Sequence, residues 1–213
     1  MAARSFTGII DYGVGNVRSV FNAVKAVGGE PVLTASIDEL LGCDRLVLPG
    51  VGAFAHGMAE LKARGLHSFI NQAAQNGLPI MGICLGMQML AQRSFEFGET
   101  EGLGLIDGVV SLIRASNSGQ LLRLPHVAWK PLAHVRDDAS WLFEGVDPAA
   151  RFYFIHSYAV SVDSKHVVAT AQHDGTPFGA ITLSGNVVGT QFHPEKSGPE
   201  GLRLLKNFVS KGE

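Results

Sequence analysis

A cysteine flanked by glycines is the residue of this sequence best suited to nucleophilic chemistry. Cys84 lies between Gly82 and Gly86, after a short apolar run and before a segment of good helix formers. Small residues beside a nucleophile let the chain turn sharply from a strand into a helix, and the unpaired helix amides favour a thiolate. The pattern predicts a reactive Cys84 at a nucleophile elbow. The alternative, a buried and unreactive core cysteine, is our interpretation of Cys43.

A cysteine nucleophile needs a base, and the base needs a group that orients it. His193 and Glu195 meet both needs, because residues two apart on an extended chain point the same way and Pro194 stiffens the link. His193 would take the proton from Cys84 and return it to the leaving amine, with Glu195 orienting the ring. The alternative is an ordinary surface pair, since short His-x-Glu patterns are common.

Acyl transfer also requires hydrogen-bond donors for the developing oxyanion. The amide of Leu85 is one candidate, and the glycine-rich turn that includes Gly50 can present another from Val51 or Gly52. The turn follows an apolar strand, so it would share the carboxyl edge of a parallel sheet with Cys84, where open α/β sheets place their ligands.

The elements that would position these residues alternate between strand and helix in the first half of the chain. Hydrophobic periodicity and turn residues predict strands at 8–11, 31–34, 45–48 and 78–84, and helices at 17–27, 58–74 and 85–93. Such alternation predicts an α/β fold with an open, mostly parallel sheet flanked by helices.

The second half of the chain has a different pattern of predicted elements. Strand-like runs at 109–113, 152–160, 167–172, 178–183 and 187–192 are separated by turn residues, which predicts additional antiparallel strands, and residues 201–210 form an amphipathic helix. We expect a single domain over residues 1–213.

Bulk properties exclude several classes of protein. The chain has 213 residues, 46% of them hydrophobic and 17% charged, and a formal net charge of −2, which gives no reason to expect a nucleic-acid surface. The longest apolar stretches are far shorter than the roughly 20 residues that cross a bilayer. Two cysteines without a secretory h-region favour a reducing cytoplasm over a disulfide.

Three segments together resemble the signature of class I glutamine amidotransferases. They are Pro49-Gly50-Val51-Gly52, Gly82-Ile83-Cys84-Leu85-Gly86-Met87-Gln88 and His193-Pro194-Glu195, in the order that the family shows. The resemblance implies a flavodoxin-like fold and hydrolysis of L-glutamine to glutamate and ammonia through a thioester on Cys84. No cofactor and no metal are expected.

Longer stretches resemble one branch of that family, the glutaminase subunits of imidazole glycerol phosphate synthase. The stretches are residues 11–16 with 18–20, 125–127 with Trp129, 152–158, and 189–198, of which the last is the most specific because Lys196-Ser197-Gly198 follows the histidine motif. The resemblance implies a heterodimer with a (β/α)8-barrel cyclase subunit. That partner would use the ammonia to make imidazole glycerol phosphate and aminoimidazole carboxamide ribotide in histidine biosynthesis.

The same resemblance implies which residues bind glutamine. Besides the backbone of residues 50–52, they are Gln88, Glu96, His156, Ser157 and Tyr158. A carboxylate suits the substrate's ammonium group, and an amide suits its carboxylate. Considered without the family, Gln88 would be a solvated helix residue, Glu96 a surface charge and His156 a histidine at the edge of the core.

Docking residues follow from the resemblance as well, and the candidates are Asp11, Asn16, Arg18, Trp129 and Lys196. The glycines of residues 11–16 could also suggest a phosphate cradle, but neither a Gly-x-Gly-x-x-Gly pattern nor a Walker lysine is present.

The chain departs from the subunit pattern at one point. Ala128-Trp129-Lys130 stands where Gly-Trp-Asn is usual. The departure bears on docking near Trp129, because Ala128 restricts the backbone and Lys130 adds a charge, and it leaves the catalytic residues unaffected.

Two other interpretations remain open from the sequence. One keeps the chemistry and changes the partner to anthranilate synthase or pyridoxal phosphate synthase, against which residues 196–198 and the aromatic segment 152–158 argue. The other is a catalytically silent scaffold of the same fold, which has no need of a complete set of Cys84, His193 and Glu195.

Overall fold

Strands and helices alternate through the first half of the protein. The computed structural model describes residues 5–114 and 122–210. In chain order the first elements are β1 (Phe6–Ile10), α1 (Val17–Ala26), β2 (Glu30–Thr34), α2 (Ile37–Leu41), β3 (Arg45–Gly50), α3 (Phe54–Ala63), α4 (Leu66–Gln75), β4 (Ile80–Cys84) and α5 (Leu85–Leu90).

Strands dominate the second half. The elements are β5 (Ala91–Ser94), β6 (Thr100–Glu101), β7 (Ile106–Leu112), β8 (His126–Pro131), a 3-10 helix (Asp137–Phe143), β9 (Arg151–His156), β10 (Tyr158–Val160), β11 (Val167–His173), β12 (Thr176–Ser184), β13 (Val187–Thr190), a second 3-10 helix (Pro194–Lys196) and α6 (Gly198–Val209).

The central sheet has seven strands in the order β11-β12-β13-β4-β3-β1-β2. The five strands from β13 to β2 are parallel to one another, whereas β12 pairs antiparallel with both β11 and β13. Two smaller sheets, β10-β7-β5-β6 and β8-β9, complete the fold. The predicted fold class, an open and mostly parallel sheet with additional antiparallel strands, is confirmed.

Successive apolar side chains of the central strands point to opposite faces of the sheet and form two cores, one on each face. Ile9 and Val47 pack with residues of α1 and α6 on one face. Ile10 and Leu48 pack with residues of α2, α3, α4 and α5 on the other. Both faces are therefore covered, as the near-continuous apolar character of parallel strands requires.

Two predicted helices are wrong in part. The helix predicted at 58–74 is two helices, because the chain breaks at Gly65, whose φ of 72° is left-handed and cannot continue an α-helix. The helix predicted at 85–93 ends at Leu90, and the good helix formers that follow pair as β5 with β7. Tertiary pairing overrides local propensity there.

Two strand predictions also need correction, and two further elements were missed. The run at 152–160 is two strands in different sheets, separated by a bend at Ser157. The run at 187–192 leaves the strand after Thr190. Strand β8, which pairs with β9, and the short helix α2 were not predicted.

Candidate active site

Cys84 occupies a strained turn between β4 and α5. Its φ of 55° and ψ of −109° are unusual for any residue other than glycine. The neighbouring glycines explain how the turn fits, since a Cβ on Gly86 would lie 1.8 Å from the carbonyl oxygen of Leu48 and one on Gly82 would lie 2.7 Å from the amide nitrogen of Met87. The predicted nucleophile elbow is confirmed as a backbone geometry.

His193 and Glu195 form a buried pair beside this turn. Nδ1 of His193 lies 2.7 Å from Oε1 of Glu195, and the two side chains are 3% and 1% exposed. The link between them differs from the expectation, because residues 194–196 form a 3-10 helix rather than an extended chain. The interpretation of a solvated surface pair is wrong.

The charge environment favours a protonated His193. Burial alone would lower its pKa, but the interactions with Cys84 and Glu195 outweigh burial and raise the pKa to about 9. Nε2 of His193 is buried and has no hydrogen-bond partner among the described residues, and Nδ1 is held by Glu195. Nε2 is therefore the nitrogen available for proton transfer.

The glycine-rich turn after β3 adjoins Cys84, because Gly50 pairs directly with Cys84 across the parallel strands β3 and β4. The hydroxyl of the buried Tyr12 donates to the carbonyl oxygen of Pro49 at 2.9 Å. Burial, and secondarily the charge of Cys84, raises the pKa of Tyr12, so the hydroxyl remains a donor.

A cavity of about 420 Å³ opens at this edge of the sheet. It is bordered by residues from all three signature segments and from the expected glutamine-binding set: Val51, Gly52, Cys84, Leu85, Gln88, Glu96, Phe97, Pro125, Ile155, His156, Ser157, Tyr158, His193 and Lys196. The volume is within the range of small-molecule sites. The structure thus brings the predicted residues to one place, while their roles stay predictions.

Gln88 and Glu96 are held in position by their neighbours. Nε2 of Gln88 donates to the carbonyl oxygen of Tyr158 at 2.8 Å and to Oε1 of Gln191 at 3.0 Å, so this buried side chain is not a solvated helix residue. Oε2 of Glu96 accepts from the amide of Phe54 at the start of α3, at 2.7 Å. Nε2 of Gln88 is consequently engaged within the protein, which differs from the expected donor for the substrate carboxylate.

A second cavity, of about 530 Å³, lies at the opposite edge of the sheet. Its lining includes Cys43, Phe69 and Pro79, which adjoin the amino ends of β3 and β4 and the helix α4. The Cys43 thiol donates to the carbonyl oxygen of Glu39 at 3.5 Å, and burial raises its pKa, so the inert interpretation of Cys43 fits this environment.

Three buried histidines cluster on β8, β9 and β11, and the sequence analysis singled out only His156. Nδ1 of His126 lies 3.3 Å from Nε2 of His156, and the rings of His126 and His173 stack at 4.4 Å. Burial, followed by neighbouring positive groups, lowers the pKa of His126 to about 4. Burial likewise lowers the pKa of His156 to about 3, so both rings are neutral at physiological pH.

The candidate docking residues follow the carboxyl ends of β1 and β13 or lie on β8. Asn16 caps α1 by accepting from the amide of Ser19, and the exposed Arg18 lies over the ring of Phe21. Trp129 is 46% exposed. Asp11 is half-buried, and Lys196 is exposed and borders the cavity.

Residues 5–114 and 122–210 contain neither a metal-ligand cluster nor a membrane-spanning helix. No group of three or more His, Cys, Asp or Glu side chains in these segments could hold a metal ion. No helix there is long and apolar enough to cross a bilayer.

Comparison with known proteins extends these observations. The family described as glutamine amidotransferase class-I matches residues 8–211. Two solved structures share the fold. A crystal structure of glutamine amidotransferase matches with a TM-score of 0.70 and 21% identity, and the match covers 95% of this chain and 96% of that one. A structure of PurLQS from Thermotoga maritima matches with a TM-score of 0.71 and 23% identity, and the match covers 97% of this chain and 98% of that one. The chain belongs to the class I glutamine amidotransferase family.

Within the family, three similar proteins are named imidazole glycerol phosphate synthase subunit HisH, the first of them HisH 1. The Legionella pneumophila (strain Lens) protein is 40% identical over 210 residues, which cover 96% of this chain and 99% of that protein. The Caulobacter vibrioides protein is 44% identical over 209 residues, with coverage of 94% and 96%. The Desulfitobacterium hafniense (strain Y51) protein is 43% identical over 201 residues, with coverage of 94% and 92%.

Proposed function

We propose that the protein is the glutaminase subunit of an imidazole glycerol phosphate synthase and supplies ammonia to the cyclase subunit for histidine biosynthesis. The observation that carries the chemistry is the buried pair of His193 and Glu195 beside the strained elbow of Cys84, with Cys84 and His193 bordering one cavity and Glu195 buried behind His193. The names of the relatives favour this partner over anthranilate synthase and pyridoxal phosphate synthase.

The first half of the reaction forms a thioester. The Cys84 thiolate attacks the side-chain carbonyl carbon of glutamine, and the oxyanion accepts from the amide of Leu85, which has no intrahelical partner at the start of α5, and from Val51 or Gly52. Protonated His193 then gives its Nε2 proton to the departing nitrogen, which leaves as ammonia while the carbon–nitrogen bond breaks.

The second half returns the enzyme to its starting state. Neutral His193 takes a proton from a water molecule, whose oxygen attacks the thioester carbonyl carbon. The carbon–sulfur bond breaks, glutamate leaves, and the thiolate and imidazolium are restored. Glu195 holds Nδ1 through both halves, so that the same nitrogen of His193 always faces the reacting atoms.

Glutamine recognition uses the residues around the cavity. Glu96 is the carboxylate for the α-ammonium group, and its attachment to the amide of Phe54 fixes its position. Gln88 adds an acceptor for the same group, because both of its amide protons are already donated. Backbone of residues 50–52 and the segment of His156, Ser157 and Tyr158 complete the site.

The cyclase docks on the face that surrounds the cavity. Val127, Trp129 and Ile155 expose 54%, 46% and 40% of their surface on the paired strands β8 and β9, and an apolar patch of this kind is typical of an interaction site. Asp11, Asn16, Arg18 and Lys196 supply polar contacts around it.

Docking and catalysis share a physical connection. The loop 11–16 contacts the oxyanion turn through the Tyr12 hydroxyl on Pro49, and a Cβ on Gly15 would lie 3.5 Å from the Cα of Gly50. A partner that shifts this loop therefore biases the alignment of the oxyanion donors, and we expect the isolated chain to be nearly inactive.

We propose one glutamine amidotransferase domain over residues 1–213, supported by the family match to residues 8–211, although residues 1–4, 115–121 and 211–213 lie outside the described part of the structure. The complex is a cytoplasmic heterodimer that contacts neither nucleic acid nor membrane, in keeping with the net charge of −2.

Glutamate release by the purified chain tests this function. We expect little release from the chain alone and strong stimulation when a histidine-pathway cyclase and its nucleotide ligand are added, because the partner completes the oxyanion site. Cys84→Ala is the matched control and should remove the stimulated activity. Absence of stimulation by this cyclase would count against the partner, and full turnover by the lone chain would count against the alignment of the oxyanion donors by docking.

The alkaline pH dependence of glutamine use follows from the raised pKa of His193. Acylation requires the imidazolium, which is present below about pH 9 and loses its proton above it, so kcat/KM of the complex should fall as pH rises through about 9. In Glu195→Gln the loss of the carboxylate should move this limb to lower pH. The α-ammonium group of glutamine also titrates at alkaline pH, but a limb caused by the substrate would stay in place in this variant.

A further inference from the structure

A buried glutamine lies against the nucleophile. Gln191 is fully buried at the end of β13, and its Nε2 lies 3.8 Å from Sγ of Cys84, within hydrogen-bonding range for sulfur. We propose that Gln191 is a further catalytic residue, whose side-chain amide donates a hydrogen bond to the Cys84 thiolate. The inference rests on the proposed function, since it concerns the nucleophile of that reaction.

The orientation of the Gln191 amide is fixed by its neighbours. The carbonyl oxygen of Tyr158 can only accept, so the end of Gln88 that faces it must be the NH2 group. That same nitrogen also faces Gln191, at 3.0 Å, so the Gln191 atom facing it must be the oxygen. Nε2 of Gln191 is then the atom directed at the sulfur, and an acceptor cannot take its place without breaking the chain of hydrogen bonds.

Neutral histidines hold the far end of this chain. Nδ1 of His156 lies 2.9 Å from the same Tyr158 carbonyl oxygen and therefore carries the proton, which leaves Nε2 to accept from Nδ1 of His126. Because the carbonyl of Tyr158 is held by both Gln88 and His156, it cannot turn to release the Gln88 amide. We therefore assign His126 and His156 as positioning residues that act through Gln88 and Gln191.

A donor at this position matters because the sulfur has an opposing contact. Sγ of Cys84 also lies 3.9 Å from the carbonyl oxygen of Ile155, which can accept from a thiol but repels a thiolate. The Gln191 amide acts in the other direction, since a hydrogen bond to a charged acceptor is stronger than one to a neutral acceptor. The two contacts thus act on the thiolate in opposite directions, and the Gln191 amide is the stabilising one.

Alkylation of Cys84 by iodoacetamide measures its thiolate content directly and requires neither glutamine nor the cyclase. The rate is followed against pH in the full-length chain by peptide mass analysis, with Cys43 as an internal reference. In Gln191→Met, which keeps the length and loses the donor, we expect the midpoint for Cys84 to move to higher pH by about one unit, so that alkylation at any pH below both midpoints is about tenfold slower. In Gln191→Glu, which adds a negative charge, the shift should be larger.

A neighbouring variant controls for damage to the buried strand. Thr190 is fully buried and its hydroxyl donates to the carbonyl oxygen of Phe192 rather than to the sulfur of Cys84, so Thr190→Val should leave the midpoint unchanged. Unchanged midpoints in folded Gln191→Met and Gln191→Glu would overturn the inference even if glutamine hydrolysis were intact. Shifted midpoints in a chain that hydrolyses no glutamine with any cyclase would support this contact and refute the proposed function.

The unaltered protein gives a second test if the Gln191 variants do not fold. In NMR spectra of the full-length chain, the side-chain amide protons of Gln191 should titrate with the same midpoint as Cys84 alkylation, and Cys84→Ser should remove that titration. Gln191 amide signals that do not change as Cys84 ionises would overturn the inference.

Discussion

Cys84→Ser is expected to remove glutamine-dependent synthesis by the complex, by at least about 10³-fold, while synthesis from added ammonium continues. Serine preserves the backbone of the elbow and almost the whole shape of the side chain. A hydroxyl is a far weaker nucleophile than a thiolate at neutral pH, and His193 is positioned to stabilise a thiolate rather than to deprotonate an alcohol. The cyclase site is on another chain, so its chemistry should not depend on this side chain.

The measurement compares product formation by the complex with glutamine and with ammonium as nitrogen sources. The matched control is Cys43→Ser, which alters the other free thiol at the opposite edge of the sheet and should keep both activities. Loss of both activities in Cys84→Ser would contradict the division of labour between the two chains, and retention of glutamine use would exclude Cys84 as the nucleophile.

The sequence was sufficient to predict the central sheet because each parallel strand carries its own signal. Strands β1 and β3 are short apolar runs that end at a polar turn or at glycine, and β4 is a short apolar run that passes directly into α5. Burial on both faces of the sheet maintains the apolar character of all three strands. Helix breaks were harder to predict. The positive φ of Gly65 interrupts an otherwise good helical pattern, and a glycine inside such a pattern does not reveal its dihedral angle in advance.

Strand pairing explains most of the other differences. Strand β5 consists of helix formers, and its pairing with β7 depends on residues distant in sequence. Strand β8 was missed because its exposed and buried positions carry mixed side chains, including His126 and Lys130, that resemble a loop. Local sequence does not contain the partner strand, so these elements follow only from the assembled fold.

The site residues likewise include some that local sequence predicts and others that depend on distant partners. Cys84, His193 and Glu195 could be predicted because the chemistry requires those residue types, and their motifs are local. Gln191 and Tyr12 were missed as parts of the site, although each lies inside a segment that resembles the family, 189–198 and 11–16 respectively. Their signal is a polar side chain in an apolar context, which becomes interpretable only when the acceptor, a sulfur or a carbonyl from another element, is located.

Gly86→Ala is the substitution for which local sequence rules and the structure predict opposite signs. Gly86 is inside α5, where alanine is favoured over glycine by about 1 kcal/mol, so helix propensity predicts a gain in the free energy of unfolding. The structure predicts a loss. The new Cβ would lie 1.8 Å from the carbonyl oxygen of Leu48, and backbone on both sides leaves no flexible group to move away.

We therefore expect Gly86→Ala to lower the free energy of unfolding by about 3 kcal/mol, at the upper end of overpacking costs. Any relief must shift α5 away from β3, which moves Cys84 from its place beside Gly50, so glutamine use should fall further than stability alone explains. The matched control is Gly42→Ala, where φ is −83° and the nearest atom to a Cβ is 3.4 Å away, and denaturation should show a change within about 0.5 kcal/mol. If urea denaturation found Gly86→Ala as stable as the control, the close approach of α5 to β3 could not be what holds the nucleophile at its strained turn.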